Sequence, residues 1–183
     1  MNADNIISNG SSTTWVEVFV LLGANLGERA DNLEQARQHI GRLDDTRIVS
    51  QSGLYESPAE GMPPQTPRFL NQAVRLQTAL GPRPLLDRLE LIERKLGRTE
   101  KGVNSSRQID IDILLWGDLV GTHDGVILPH PRLVTRGFAL IPLAEIAPDL
   151  RYPASGATLA DYITDRMRTQ TLPYTASERH IPA

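Results

Sequence analysis

The chain has 183 residues, 40% of them apolar, with no cysteine and a formal net charge of −3. That length and apolar share suit one domain with a sizeable core, and the lack of cysteine excludes disulfide and thiolate chemistry. With a pI near 5.8, a protein gripping long nucleic acid is not expected, although a local basic cluster could still serve an anionic ligand.

Residues 1–14, "MNADNIISNGSSTT", lack the positive start and apolar centre of a signal peptide, and no apolar run is long enough for a membrane helix. They read as a disordered leader on a cytoplasmic protein. Residues 15–167 are then expected to form one domain, and 168–183 a flexible, frayed tail. "WVEVFVLLG" is rich in β-branched and aromatic residues and reads as a strand ending at Gly23. Asp31 with Glu34 resembles a capping box, and Leu33, Ala36, Ile40 and Leu43 recur at helical spacing. "TRIVSQSGLY" reads as a second strand. "ESPAEGMPPQTP", with four prolines and a glycine, can only be a loop. In "RFLNQAVRLQT" Leu70, Val74 and Leu76 share one strand face, and Phe69 and Asn71 share the other. Pro82 and Pro84 open a helix striped by Leu85, Leu86, Leu89, Ile92 and Leu96 and stopped by Gly97. The loop "RTEKGVNSS" leads into the strand "RQIDIDILLWG". The order β-α-β-β-α-β predicts an α+β fold: a ferredoxin-like core whose antiparallel sheet carries both helices on one face. "TRGFALIPLAEIAPDL" and the helical "ATLADYITDRM" are expected to cover part of the other face, as additional C-terminal helices completing three α-β-α layers.

The last strand of that core is unusual. Side chains alternate along a strand, so Asp110 and Asp112 point the same way, about 6.6 Å apart. Two ionised carboxylates at that spacing repel by about 2.5 kcal/mol at an effective dielectric of 20, so the pair requires opposing charge. Arg98, Arg107 or Arg136 could supply it as a structural ion-pair network. Divalent metal could also supply it, since Mg²⁺ takes one or two carboxylates together with substrate phosphates. Arg94, Lys95, Arg98, Lys101 and Arg107 form a dense basic run beside the pair, which suits a polyphosphate as well as a solvated helix end. Lys101 and Gly102 lie in a loop that could close over such a ligand. No P-loop motif is present.

"GANL", "FLNQAV", "LGR", "R-x-IDIDIL", "PHPR" and "RGFALIPLAEIAPDL" occur in one order between about Val18 and Ile163. Together they resemble the 6-hydroxymethyl-7,8-dihydropterin pyrophosphokinase family of folate biosynthesis. The resemblance implies transfer of pyrophosphate from ATP to the pterin's hydroxymethyl group, with release of AMP and with two Mg²⁺ ions. It implies Asp110 and Asp112 as metal ligands and, with Arg98 and Arg107, as the catalytic set. Phe69 and Phe138 would sandwich the pterin, Asn71 would hydrogen-bond it, and the Ser57–Pro58–Ala59 stretch would add backbone contacts. ATP would be met by Glu93, Arg98, Arg107, Ile113, His130 and Arg136. The partners implied are these small molecules, with no nucleic acid or membrane, and the enzyme is expected to be a monomer. Taken alone, Phe69 and Phe138 read as core residues, His130 as a turn residue, and Gly23 and Asn25 as turn chemistry. Asn71 is harder to dismiss, because strands disfavour asparagine and a buried amide needs partners.

The chain departs from the family pattern at Glu100, where many members carry arginine. It departs again at Asn104-Ser105-Ser106, where many carry Trp-Gly-Pro, and at Pro131, where a tyrosine often stands. The first two fall in the loop expected to close over both substrates. A D-x-D metal-dependent nucleotidyl or glycosyl transferase is a rival reading, and it leaves Phe69, Asn71 and Phe138 unexplained. A non-catalytic pterin- or nucleotide-binding module of the same fold is the second rival.

Overall fold

The computed structural model describes residues 14–98 and 106–175. At its centre is strand β1 (Val16–Ala24), antiparallel to β4 (Phe69–Thr78) on one side and to β5 (Asp110–Trp116) on the other. Both faces of β1 are covered, so Val18 through Leu22 are all buried. That is why its sequence is a continuous apolar run rather than an alternating one. The expected second strand is divided into β2 (Thr46–Gln51) and β3 (Tyr55–Ser57), both paired with β4. The break has a local cause: the register of β2 slips between Ile48 and Ser50, and the hydroxyl of Ser52 then accepts the Ala73 N–H at 3.0 Å. The sheet order β5-β1-β4-(β2, β3) is that of a ferredoxin-like fold.

Helices α1 (Arg29–Ile40) and α2 (Pro82–Lys95) lie on one face. Leu33, Ala36, Ile40, Leu85, Leu89 and Ile92 pack there against Val18, Val20, Leu22, Val74 and Ile111. The expected cap at Asp31 is not used. Helix α1 begins at Arg29, whose side chain reaches Glu56 and the Arg68 carbonyl, both at 2.8 Å. Asp31 therefore sits inside the first turn, at the positive end of the dipole. Pro82 opens α2 as expected, and Gly97 ends its region with φ +96°.

The other face is covered by α3 (Gly137–Ile146), a 3-10 turn at Leu133–Thr135 and a second at Leu159–Tyr162. Leu133, Leu140, Leu143 and Leu159 pack there on Phe19, Leu21, Ala73 and Leu115, completing three layers. The segment expected as one helix over "ATLADYITDRM" is broken. Thr158 and Asp161 form a capping box on the 3-10 turn, and Thr164 caps α4 (Asp165–Gln170) by accepting the Met167 N–H at 3.3 Å. Part of the expected tail is ordered: α4 runs to Gln170, and β8 (Leu172–Pro173) adds to the edge of β3. A hairpin of β6 (Gly121–His123) and β7 (Val126–Leu128) was also not expected. Its turn is Asp124-Gly125, both with positive φ, at 49° and 79°. Asp-Gly is the dipeptide that such a turn favours. Among the described residues no helix is long and apolar enough to cross a membrane.

Candidate active site

Cross-strand register builds the site. Asp110 pairs with Gly23, Gly23 with Asn71 and Asn71 with Tyr55, so one row crosses β5, β1, β4 and β3. In the next row Asp112 pairs with Leu21, which pairs with Ala73. Phe69 stands beside Ser57. A cavity opens over these rows, with Asp110, Asp112, Phe69, Asn71, Arg107 and Arg136 among its lining residues. Gly23 leaves the floor bare between the aspartates and the asparagine. A Cβ built there would stand 3.4 Å from Asn71 Oδ1 and 3.7 Å from Phe69 Cδ1.

The buried Asn71 amide donates from Nδ2 to the Tyr55 carbonyl at 3.2 Å and to Ser57 Oγ at 3.0 Å. Both amide hydrogens are thereby used within the protein, and Oδ1 is left as an acceptor over Gly23. Phe138 lines the cavity from the start of α3, with the Arg136 guanidinium 5.2 Å from its ring centroid. The glycine before it lets α3 start close against α4, since a Cβ at Gly137 would sit 2.6 Å from Met167 Cβ. Pro58 lines the cavity too, whereas Ala59 shapes the loop, its carbonyl accepting the Met62 N–H at 3.2 Å.

Both readings of the aspartate pair find support in the geometry. Asp110 Oδ1 accepts from Arg98 Nη1 at 2.7 Å and from Arg107 Nη1 at 2.8 Å, which is the ion-pair network. Asp112 has no such partner: it makes no hydrogen bond or ion pair with a described residue. Burial, then the charge of Asp110, push its pKa up to about 6, against the pull of Arg136, Arg107 and Arg98. Burial and Arg132 lower the pKa of Arg136. Among the described residues no group of three or more His, Cys, Asp or Glu could hold a metal. The protein's share of a metal shell would therefore be these two carboxylates, the donor set Mg²⁺ accepts when phosphates supply the remainder.

Glu93 lies behind the pair and outside the cavity wall. It is 2% exposed, and its Oε1 accepts the Ile111 N–H at 2.6 Å and Arg98 Nη1 at 2.5 Å. Ile111 separates the two aspartates on an edge strand, so Glu93 caps the free edge where their orientation is set. Burial pushes its pKa up to about 7. Ile113 is not brought to the cavity by its side chain, which packs in the helix-side core opposite Val20. His130 donates its backbone N–H to the Leu114 carbonyl at 2.8 Å and accepts the Arg132 N–H on Nδ1 at 3.1 Å. Burial, with Arg136 and Arg132, lowers its pKa to about 4. The ring is thus neutral near pH 7 and keeps its proton on Nε2.

Turn chemistry alone does not describe Asn25. Its Nδ2 donates to the Pro67 carbonyl at 3.2 Å and to Ser106 Oγ at 3.0 Å, while its Oδ1 accepts the Arg107 N–H at 2.7 Å. It clasps the end of the proline loop to the chain entering β5. Ser106, one of the departures from the family pattern, thus has a role here. Glu100, Lys101, Gly102, Asn104 and Ser105 lie outside the described residues. Sequence reasoning missed Leu21, Glu60 and Met62 as lining residues. Of these only Leu21 carried a signal, as it shares a strand face with Gly23.

A family model described as 7,8-dihydro-6-hydroxymethylpterin-pyrophosphokinase matches residues 19–148. A 2-amino-4-hydroxy-6-hydroxymethyldihydropteridine pyrophosphokinase of Pseudomonas aeruginosa is 41% identical over 136 residues, covering 74% of this chain and 83% of that protein. The folic acid synthesis protein fol1 of Pneumocystis carinii is 33% identical over 98% of the chain, which spans only 24% of its length. A solved Plasmodium falciparum HPPK-DHPS with pteroate superposes with a TM-score of 0.67 at 12% identity, over 88% of this chain and 47% of that one. The likeness to that structure is one of fold. The family match and the bacterial relative, which agree with the arrangement of the cavity, show that the chain belongs to the 7,8-dihydro-6-hydroxymethylpterin-pyrophosphokinase family.

Proposed function

We propose that this chain transfers pyrophosphate from ATP to the hydroxymethyl group of 6-hydroxymethyl-7,8-dihydropterin, giving the pterin diphosphate and AMP in folate biosynthesis. One observation carries the reading: a single cavity has an aromatic and amide cradle at one end and a carboxylate pair with arginines at the other. Phe69 and Phe138 sandwich the flat ring, and Asn71 Oδ1 accepts from a ring N–H. Ser57, Pro58 and Ala59 border the ring through their backbone. The hydroxyl then faces the aspartates.

The hydroxyl oxygen attacks the β-phosphorus in line, the bond to the α-phosphate oxygen breaks, and AMP leaves. Asp110 and Asp112 would hold Mg²⁺, two ions on the family pattern, which when bound would neutralise the triphosphate and acidify the hydroxyl. Arg98, Arg107 and Arg136 meet phosphate oxygens, and His130 offers them its Nε2–H. Asp112 receives the hydroxyl proton. Glu93 acts through Ile111 and Arg98 as a positioning residue, and Ile113 offers only backbone to the nucleotide. Most of the acceleration comes from positioning and electrostatics. The protein works as a cytoplasmic monomer on small molecules, without nucleic acid or membrane.

The test is AMP formation from ATP and Mg²⁺, with and without the pterin. AMP that appears only with the pterin supports the reading. Pterin binding without AMP would point to a non-catalytic module, and the absence of both AMP and pterin binding would refute the assignment.

A further inference from the structure

The two carboxylates of the pair differ in what already occupies them. Arg98 and Arg107 both converge on one oxygen, Asp110 Oδ1, at 2.7 and 2.8 Å. Their side chains are only 13% and 15% exposed, so these contacts are shielded from water. Asp112 carries no such partner among the described residues. A divalent cation cannot join two guanidinium groups on one oxygen without strong repulsion. Metal on Oδ1 requires at least one arginine to leave, and metal on the neighbouring Oδ2 is held weakly while both guanidinium charges stay beside it.

Such a departure needs only side-chain motion. The Arg98 N–H is held by the Glu93 carbonyl at 3.0 Å. The Arg107 N–H is held by Asn25 Oδ1 at 2.7 Å, and its carbonyl accepts the Asn25 N–H at 3.1 Å. Neither anchor involves Asp110. Triphosphate oxygens in the cavity would offer the guanidinium groups an alternative with more negative charge and matching geometry.

We infer that Arg98 and Arg107 are resident counter-cations of Asp110 that oppose divalent metal there, and that the triphosphate opens the metal site by drawing them to itself. This rests on the proposed reading of the aspartates as metal ligands. Free metal therefore binds weakly. Metal and nucleotide tighten each other by the same factor, as linkage requires.

The experiment measures Mn²⁺ binding to the full chain by electron paramagnetic resonance, first without nucleotide. Arg107 is the residue to change, because Arg98 also holds Glu93 and so supports the strand. Arg107→Gln should bind Mn²⁺ tighter than wild type by on the order of tenfold, the least expected from removing one charge so close to the site. Arg107→Lys keeps the charge and should stay weak. Arg132→Gln, which removes a nearby charge with no contact to Asp110, should change binding by less than about threefold. A non-hydrolysable ATP analogue should close the gap between wild type and Arg107→Gln. Equal affinities of wild type and Arg107→Gln for free Mn²⁺ would overturn the inference, as would an equal gain from Arg132→Gln. If Mn²⁺ binds wild type with the analogue but Asp110→Asn binds it as well, the parent reading of the metal ligands fails instead.

Discussion

Gly23 offers the sharpest test of how the cavity is built. It lies on the row between Asp110 and Asn71, where the proposed pterin would rest. A Cβ there would stand 3.4 Å from Asn71 Oδ1 and 3.7 Å from Phe69 Cδ1, within van der Waals contact. Gly23 is not among the positive-φ residues, so its backbone suits any residue, and an added side chain favours a strand. Gly23→Val should therefore fold with a stability within about 1 kcal/mol of wild type. Its Cβ, however, stands about 1.5 Å above the floor, and its methyl groups reach further into the space the ring needs. Overpacking costs about 1–3 kcal/mol, and a displaced hydrogen bond to Asn71 about 1 kcal/mol more. Pterin affinity should fall by about 2–4 kcal/mol, roughly thirty- to a thousandfold, with nucleotide affinity changed little. Calorimetric titration of the pterin with a non-hydrolysable ATP analogue present, beside thermal melts of both proteins, reads each quantity separately. Wild-type pterin affinity in a folded Gly23→Val protein would refute the placement of the ring over the floor.

Asp112→Asn should lower AMP formation at least a thousandfold while leaving the melting temperature unchanged or raised, because a half-buried carboxylate with no partner among the described residues is neutralised; near-wild-type turnover would remove Asp112 from the chemistry. Glu93→Ala strands the Ile111 N–H and leaves Arg98 with only Asp110 as its carboxylate partner among the described residues, and should cost about 1–3 kcal/mol of stability in urea melts. Glu93→Gln keeps an acceptor for Ile111 and should cost less, so equal losses would argue against the edge-capping role. Since the folded pKa of His130 is lowered from 6.5 to about 4, the unfolded chain binds the extra proton between those values. Stability held near neutral pH is then lost as pH falls from about 6.5 towards 4. His130→Gln should lack that component of the decline, and the wild-type imidazole should show no titration by NMR between pH 6 and 8. A midpoint near 6.5 would refute its burial as a neutral ring.

Much of this molecule was legible in one dimension because its signals are local. The α2 stripe, Pro82 at its start and the alternation of β4 each arise from backbone geometry within a few residues, and the element order then admitted few topologies. The shared face of Phe69 and Asn71, and that of Asp110 and Asp112, followed from strand periodicity alone. Other features depended on partners far along the chain. The break between β2 and β3 follows from Ser52 bonding Ala73, and the start of α1 from Arg29 reaching Glu56 and Arg68. The order of residues 168–173 follows from an open edge on β3. The roles of Asn25, Glu93 and Gly23 likewise exist only in three dimensions. An amide, a carboxylate and a missing side chain acquire meaning from what the fold places within 3–4 Å of them. The sequence by itself determined which chemical groups are available and which strand faces they occupy. Only the tertiary structure decided that two arginines share one oxygen of Asp110 while Asp112 stands without a partner among the described residues, because charge pairing at that range depends on distance across strands and loops rather than on position in the chain.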